Sequence, residues 1–201
     1  MPRAFSDNER DRIRAQLRLK AGHLFATRGL RKTSVGEIAQ SAGISKGAFY
    51  LFFDSKEALC LEVLETIEAE MRARVLELAL TRKRNARAQV AEILNAFLTT
   101  WDAYPLLRTF SQADFEYLVR KLPSERVAAH VAQDDAFIDT FAQKLKHEGI
   151  VLKVRPRVVA SLIRALFWVG LHRHDLGEDD FAETMPVLTD LVAGYVTGRR
   201  R

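Results

Sequence analysis

The sequence predicts an all-α protein of about nine helices, and three observations carry that prediction. Apolar residues recur at spacings of three and four along nearly every segment, the period of a helix with one buried face. No run alternates apolar and polar residues with the strand period of two. Glycine and proline are sparse, ten and five residues in 201, and they fall between the periodic segments, where they stop and start helices.

The first helix begins after Ser6. Ser6-Asp7-Asn8-Glu9 has the form of a capping box, in which serine and glutamate each satisfy a free backbone N–H. Ile13, Leu17, Ala21, Leu24 and Phe25 share one face, and Gly29 is placed to terminate the helix. A second box, Ser34-Val35-Gly36-Glu37, opens a short helix through Ser41 that buries Val35, Ile38 and Ala39. Gly43 provides a tight turn. A third helix covers roughly Ser45 to Phe52, with Ile44 and Phe49 inward. A fourth starts at Asp54-Ser55-Lys56-Glu57 and runs to about Thr81. Further helices are expected near 86–101, 106–121, 124–148, 156–175 and 181–198. Pro105, Pro123 and Pro156 stand near helix starts, where a missing N–H costs little. Pro186 leaves two readings: the last helix begins near Thr184, or it kinks at the proline.

Composition excludes several classes. Hydrophobic residues at 48% and charged residues at 28% are those of a soluble globular chain. The longest apolar stretch, 158–171, is broken by Arg164 and is too short to span a membrane. No basic start followed by an apolar run reads as a signal peptide. Cys60 is the one cysteine, so no internal disulfide forms, and a cytoplasmic location is expected. The five histidines (23, 130, 147, 172 and 174) lack the spacing of a metal site, so neither metal nor cofactor is expected. No nucleophile–base pair, phosphate-cradling glycine loop or carboxylate dyad appears, and no enzymatic activity is expected.

Charge is unevenly placed. Residues 1–56 hold eleven Lys/Arg against five Asp/Glu, a surplus larger than the +5 of the whole chain. That surplus suits a polyanion, although solvation of helix surfaces accounts for charge alone equally well. Within it lies SVGEIAQSAGISKGAFYLF, residues 34–52: a short helix, a glycine turn and a second short helix. This arrangement lets one helix enter the major groove of DNA. Ser45, Lys46, Gly47, Ala48, Tyr50 and Leu51 are left on its outer or leading face. Lys46 can bond guanine edges or phosphate, and Tyr50 offers a hydroxyl for phosphate and a ring for a thymine methyl. Thr33, Ser34 and Lys56 stand at helix starts, where backbone N–H groups favour an anion. Capping alone explains Thr33 and Ser45 as well, and core packing is the alternative for Tyr50.

The segment 25–60, FATRGLRKTSVGEIAQSAGISKGAFYLFFDSKEALC, resembles the DNA-binding domain of the TetR family. The resemblance rests on Phe25 and Gly29, on Thr33-Ser34-Val35, and on Ile38-Ala39. It continues through Ala42-Gly43-Ile44-Ser45-Lys46-Gly47, Phe49-Tyr50, Phe53 and Ser55-Lys56-Glu57-Ala58-Leu59. It implies a DNA-binding domain over 1–56 and a helical ligand-sensing and dimerisation domain over 57–201. It also implies that Thr33, Lys46, Tyr50 and Lys56 contact DNA, with Lys56 on phosphate. Ala48 and Leu51 depart from the common pattern, which puts their contacts in doubt; Ala48 can instead touch a thymine methyl.

The implied protein is a homodimeric regulator. It is a repressor released from a palindromic operator on double-stranded DNA by a small apolar or aromatic effector. A ligand-independent architectural DNA-binding protein is the alternative. Candidate effector-lining residues are Trp101, Tyr104, Phe110, Phe115, Phe141, Phe167, Trp168 and His172, for each of which ordinary core packing is the competing role. Candidate interface residues are Leu162, Leu166 and Val169, with Met185, Leu188, Val192 and Tyr195, which stand in a 4-3 rhythm. Those two helices either pair across a two-fold axis or close the monomer's core.

Overall fold

A computed structural model describes residues 6–80 and 85–198, apart from the side chains of 97–102, 174 and 178. Eleven helical segments, α1 to α11, and no strand occur among the described residues. The expected capping boxes form. Ser6 Oγ accepts from the Glu9 N–H at 3.3 Å, and the Ser6 N–H donates back to the Glu9 carboxylate at 2.9 Å, opening α1 (Asp7–Arg28). Ile13, Leu17, Ala21 and Phe25 are its buried stripe. Gly29 ends it with φ +83°, a backbone conformation that costs a residue with Cβ. Ser34 and Glu37 repeat the box at the start of α2 (Val35–Ser41). Gly43, at φ +72°, turns the chain into α3 (Lys46–Phe49). The helix expected over Ser45–Phe52 is thus one α turn. Leu51 N–H to Ala48 and Phe52 N–H to Phe49 then tighten it into i→i+3 bonds. The fourth helix, α4, is Lys56–Leu80.

The chain forms two compact units. The first comprises the chain through Glu68 and the segment Tyr104–Leu122, so it joins α1–α3 and the opening of α4 to α6 (Pro105–Thr109) and α7 (Gln112–Lys121). The second comprises Ala69–Ala103 and the chain from Pro123 onward. It holds the end of α4, α5 (Ala86–Ala103), α8 (Ser124–His147), α9 (Pro156–Leu171), α10 (Arg173–Leu176) and α11 (Glu178–Thr197). A single cut after Lys56 does not describe this division, because α4 belongs to both units and the 104–122 segment packs with α1.

Two expected helices are each broken in two. The one over 106–121 breaks at Phe110, whose backbone is extended, and Ser111 with Asp114 opens α7 by a third capping box. Its aspartate replaces the usual glutamate, which hid it. The one over 156–175 ends at His172, and Gly177, at φ +85°, separates α10 from α11. The last helix starts at Glu178 and runs through Pro186. The Thr189 hydroxyl returns to the Pro186 carbonyl at 2.9 Å and also lies 2.7 Å from Asn95 Oδ1.

The second unit is organised on one core. Val75 and Ala79 of α4 meet Ile93 of α5, Ile138 and Phe141 of α8, and Leu166 of α9. The buried Gln89 amide donates to the Ala79 carbonyl at 3.0 Å, closing a backbone group that the end of α4 would leave orphaned. Arg87 forms a forked pair with Asp190, joining α5 to α11. Replacing Gly43 by alanine is expected to cost about 1 kcal/mol by forcing Cβ into the left-handed region. A chemical-denaturation midpoint lowered without a change in slope is the measurement that checks it.

Candidate nucleic-acid interface

The outward surface of the first unit follows from what its helices bury. Ile38 and Ala39 of α2 and Phe49 of α3 are in the core, with Ile44 half-buried between them. Phe49 also packs on Phe53, ring centroids 5.9 Å apart. That places Ser45, Lys46, Gly47, Tyr50 and Leu51 on the exposed side and leaves Ala48 half-exposed. Ser45 caps α3, its hydroxyl accepting from Ala48 N–H at 3.1 Å. Tyr50 is 50% exposed and only edges onto Phe49, so the core-packing alternative for it is set aside. Lys46 meets no carboxylate among the described residues.

Two residues expected to face DNA are committed inward. Thr33 is 1% exposed, and its hydroxyl donates to the Gly29 carbonyl at 2.9 Å. Its β-hydroxyl is used to close the α1–α2 loop. Lys56 is the more fully engaged of the two. Its Nζ donates to the carbonyls of Leu30 at 2.9 Å, Arg31 at 3.1 Å and Thr33 at 2.8 Å. An ammonium has three hydrogens, and all three are spent within the chain. In this arrangement the ammonium orders the α1–α2 loop. Ser34 is exposed at the start of α2, but its hydroxyl and N–H are engaged with Glu37. The Ser34 N–H and hydroxyl, with Arg28 beside them, hold the Glu37 carboxyl below its ordinary range.

The basic surplus is partly neutralised as well. Arg14 and Arg18 pair with Glu62, Arg28 with Glu37, and Arg31 with Asp114 at 3.5 Å. The Glu62 carboxylate raises the Arg14 pKa further. Residues the sequence did not flag complete a polar cluster: the Tyr117 hydroxyl donates to the buried Glu57 carboxylate at 2.7 Å, under the Arg31 guanidinium. Burial, with the Asp114 and Glu57 charges adding to it, pushes the Cys60 thiol far up, so it stays protonated at neutral pH. That chemistry opposes a redox role.

The aromatic candidates do not assemble in one unit. Tyr104, Phe110 and Phe115 lie in the first; Phe141, Phe167, Trp168 and His172 lie in the second. Phe110 and Phe141 are core residues, and Phe141 stacks on Phe137. The Trp101 side chain lies outside the described residues. His172 Nδ1 meets the Asp175 carboxylate at 2.8 Å. A cleft of about 280 Å³ in the second unit is lined by residues including Asp139, Gln143, Lys146 and Leu152, and by none of the aromatic candidates.

The interface candidates divide by face. Leu166 and Met185 are buried in the core, and Leu162, Val169, Leu188 and Val192 pack against it. Tyr195 alone is exposed. The outer apolar stripe of α11 is instead Val187, Leu191 and Tyr195, each about 60% exposed. The 4-3 rhythm selected the inward face of a helix that is apolar on two faces.

A family-wide sequence model described as "Bacterial regulatory proteins, tetR family" matches residues 20–63. YuxN of Bacillus subtilis, an uncharacterized HTH-type transcriptional regulator, is 43% identical over 70 residues, 35% of this chain and 23% of that protein. Two further curated regulators are matched over only 14% and 22% of their length. The crystal structure of a TetR-family transcriptional regulator from Pectobacterium atrosepticum superposes with a TM-score of 0.69 at 23% identity, covering 98% of this chain and all of that one. Residues 20–63 thus match the TetR-type DNA-binding region, and the chain as a whole has the fold of this TetR-family structure. Thermus thermophilus FadR, a TetR-family repressor solved with lauroyl-CoA, shares the fold at TM-score 0.64 and 23% identity, over 94% and 97% of the two chains.

The matched span, 20–63, contains both halves of the Lys56 clamp. Lys56→Met keeps the stem and deletes the charge. In this TetR-family head it is expected to destabilise the fold by about 2 kcal/mol, because three carbonyls lose a charged donor. Thermal unfolding of the variant checks it; an unchanged midpoint would show the clamp to be dispensable.

Proposed function

We propose that this TetR-family chain is a transcriptional regulator that binds a palindromic operator as a homodimer and is released by a small apolar or aromatic effector. One observation carries the reading. A head whose core is filled by Phe25, Ile38, Ala39 and Phe49 presents Ser45, Lys46, Gly47, Tyr50 and Leu51 outward on a single short turn. Lys46 and Tyr50 carry side chains suited to bases and phosphates, and Ser45 caps the turn. Two such turns related by a two-fold axis must fall one DNA turn apart, roughly 34–36 Å. The exposed stripe of α11, Val187, Leu191 and Tyr195, supports pairing of two copies through this helix.

Control follows from α4. Its first turns hold the loop around Thr33 through Lys56, and its last turns put Val75 and Ala79 in the core of the second unit. An effector that favours one position of its far end therefore biases the Lys56 end. A coupling of about 1–3 kcal/mol suffices to release DNA. The sign proposed is repression, on the resemblance to TetR-family regulators, FadR of Thermus thermophilus among them. Acyl-CoA thioesters join the effectors to test, because Thermus thermophilus FadR was solved with lauroyl-CoA.

The deciding experiment is footprinting on DNA flanking the protein's own gene, with a panel of aromatic compounds and acyl-CoA thioesters. The expected result is a two-fold-symmetric protected site released by one of them; protection of no site sinks the reading. Lys46→Ala is expected to weaken binding about tenfold and to relax a guanine preference, measured across single-base operator variants. Leu191→Arg is expected to turn the dimer into a monomer in sedimentation velocity while leaving helicity intact; a dimer that survives it moves the interface off α11.

A further inference from the structure

We propose that Leu51 reads a thymine in each half-site through the C5-methyl group of that base, and that Arg10 is the residue that positions it. The inference rests on the DNA-binding reading above and goes beyond it by naming the base chemistry that the recognition turn selects.

On the turn from Ser45 to Phe52, Phe49 and Phe53 are buried. Gly47 and Leu51 are four residues apart and fall on the opposite side, both exposed. Leu51 is 58% exposed. A single exposed leucine is ordinary in any protein. This one is set apart by how its backbone is held. The Leu51 carbonyl accepts from the Arg10 guanidinium at 3.3 Å, across 41 residues of sequence. The same guanidinium lies over the Phe52 ring, 5.4 Å from its centroid. The Leu51 N–H donates to the Ala48 carbonyl at 3.1 Å. Both backbone groups of an apolar residue beyond the last α turn are therefore satisfied, one of them by a side chain of α1. The side chain is presented from a fixed point.

The surface beside it is clear. A Cβ built on Gly47 would meet only Ser45 Oγ, at 3.9 Å, and its φ is not positive. Neither packing nor backbone conformation demands glycine there, so the missing side chain leaves a lane along Leu51. A leucine tip has no donor or acceptor. It cannot read N7, O6 or an exocyclic amine, but it packs against a methyl group, and thymine is the one DNA base that presents one in the major groove. Lys46, the sole charged side chain on this face, is left for guanine or phosphate.

The test begins with selection from a randomised duplex library using the full chain, followed by replacement of each selected thymine with deoxyuridine, which removes the methyl alone. One thymine per half-site is expected to matter, with affinity falling about fourfold per half-site, the effect of exposing one buried methyl. Leu51→Ala should bind the thymine and uracil sites equally. Arg10→Ala should narrow the thymine–uracil ratio and leave the salt slope unchanged. A slope reduced by about one with the ratio intact would make Arg10 a phosphate contact and remove its positioning role. If uracil replaces every thymine without loss, or the loss persists in Leu51→Ala, the assignment of Leu51 is overturned while operator binding stands. Selection that enriches no sequence would instead sink the DNA-binding reading itself.

Discussion

The head of this protein depends on one ammonium group and three carbonyls. Helix α1 ends and α2 begins within six residues, and the turn between them leaves backbone oxygens without helical partners. Lys56, from the first position of α4, supplies the donors at Leu30, Arg31 and Thr33. One side chain thereby fixes the end of the first helix, the start of the second and the origin of the fourth relative to each other. Thr33 completes the closure by bonding back to Gly29. A charged donor on neutral acceptors is stronger than an amide bond and carries no partner anion to compete for it. One side chain outside α2 and α3 thus orders the loop that leads into them.

That closure changes how the basic charge of the N-terminal quarter is to be understood. Counted along the sequence, eleven cations stand over 1–56. Counted by partner, Arg14 and Arg18 belong to Glu62, Arg28 to Glu37, Arg31 to Asp114 and Lys56 to carbonyls. Those ion pairs are largely exposed and contribute little stability individually. Their effect is to remove field from the sides of the head. Lys46 at the recognition turn meets no carboxylate among the described residues, and Arg12, Lys20 and Lys32 are exposed elsewhere on the head.

How much of this was legible in the sequence depends on the kind of signal. Capping boxes are local, so Ser6–Glu9 and Ser34–Glu37 could be read residue by residue, and both form. Ser111–Asp114 obeys the same chemistry with a shorter acid and was missed, which fused α6 with α7. Periodicity marks which residues are apolar and says nothing about which of two apolar faces meets the monomer's own core. On α11 the stripe of Met185, Leu188 and Val192 turns inward, while Val187 and Leu191 turn out. Long-range pairings leave no trace in spacing at all. Nothing near Lys56 in sequence announces carbonyls 23 to 26 residues away. Nothing near Tyr117 announces Glu57, 60 residues back.

The same distinction bears on α4, the element through which the proposed control runs. A helix of 25 residues is about 37 Å long and stiff. Its two ends are held by different physics. The Lys56 end is held by hydrogen bonds of narrow geometry, which resist rotation and translation alike. The far end is held by Val75 and Ala79 in an apolar core, whose contacts are non-directional. In the proposed control, a repacking at the far end acts on a helix whose Lys56 end is held by directional bonds and whose far end is held by dispersive contacts.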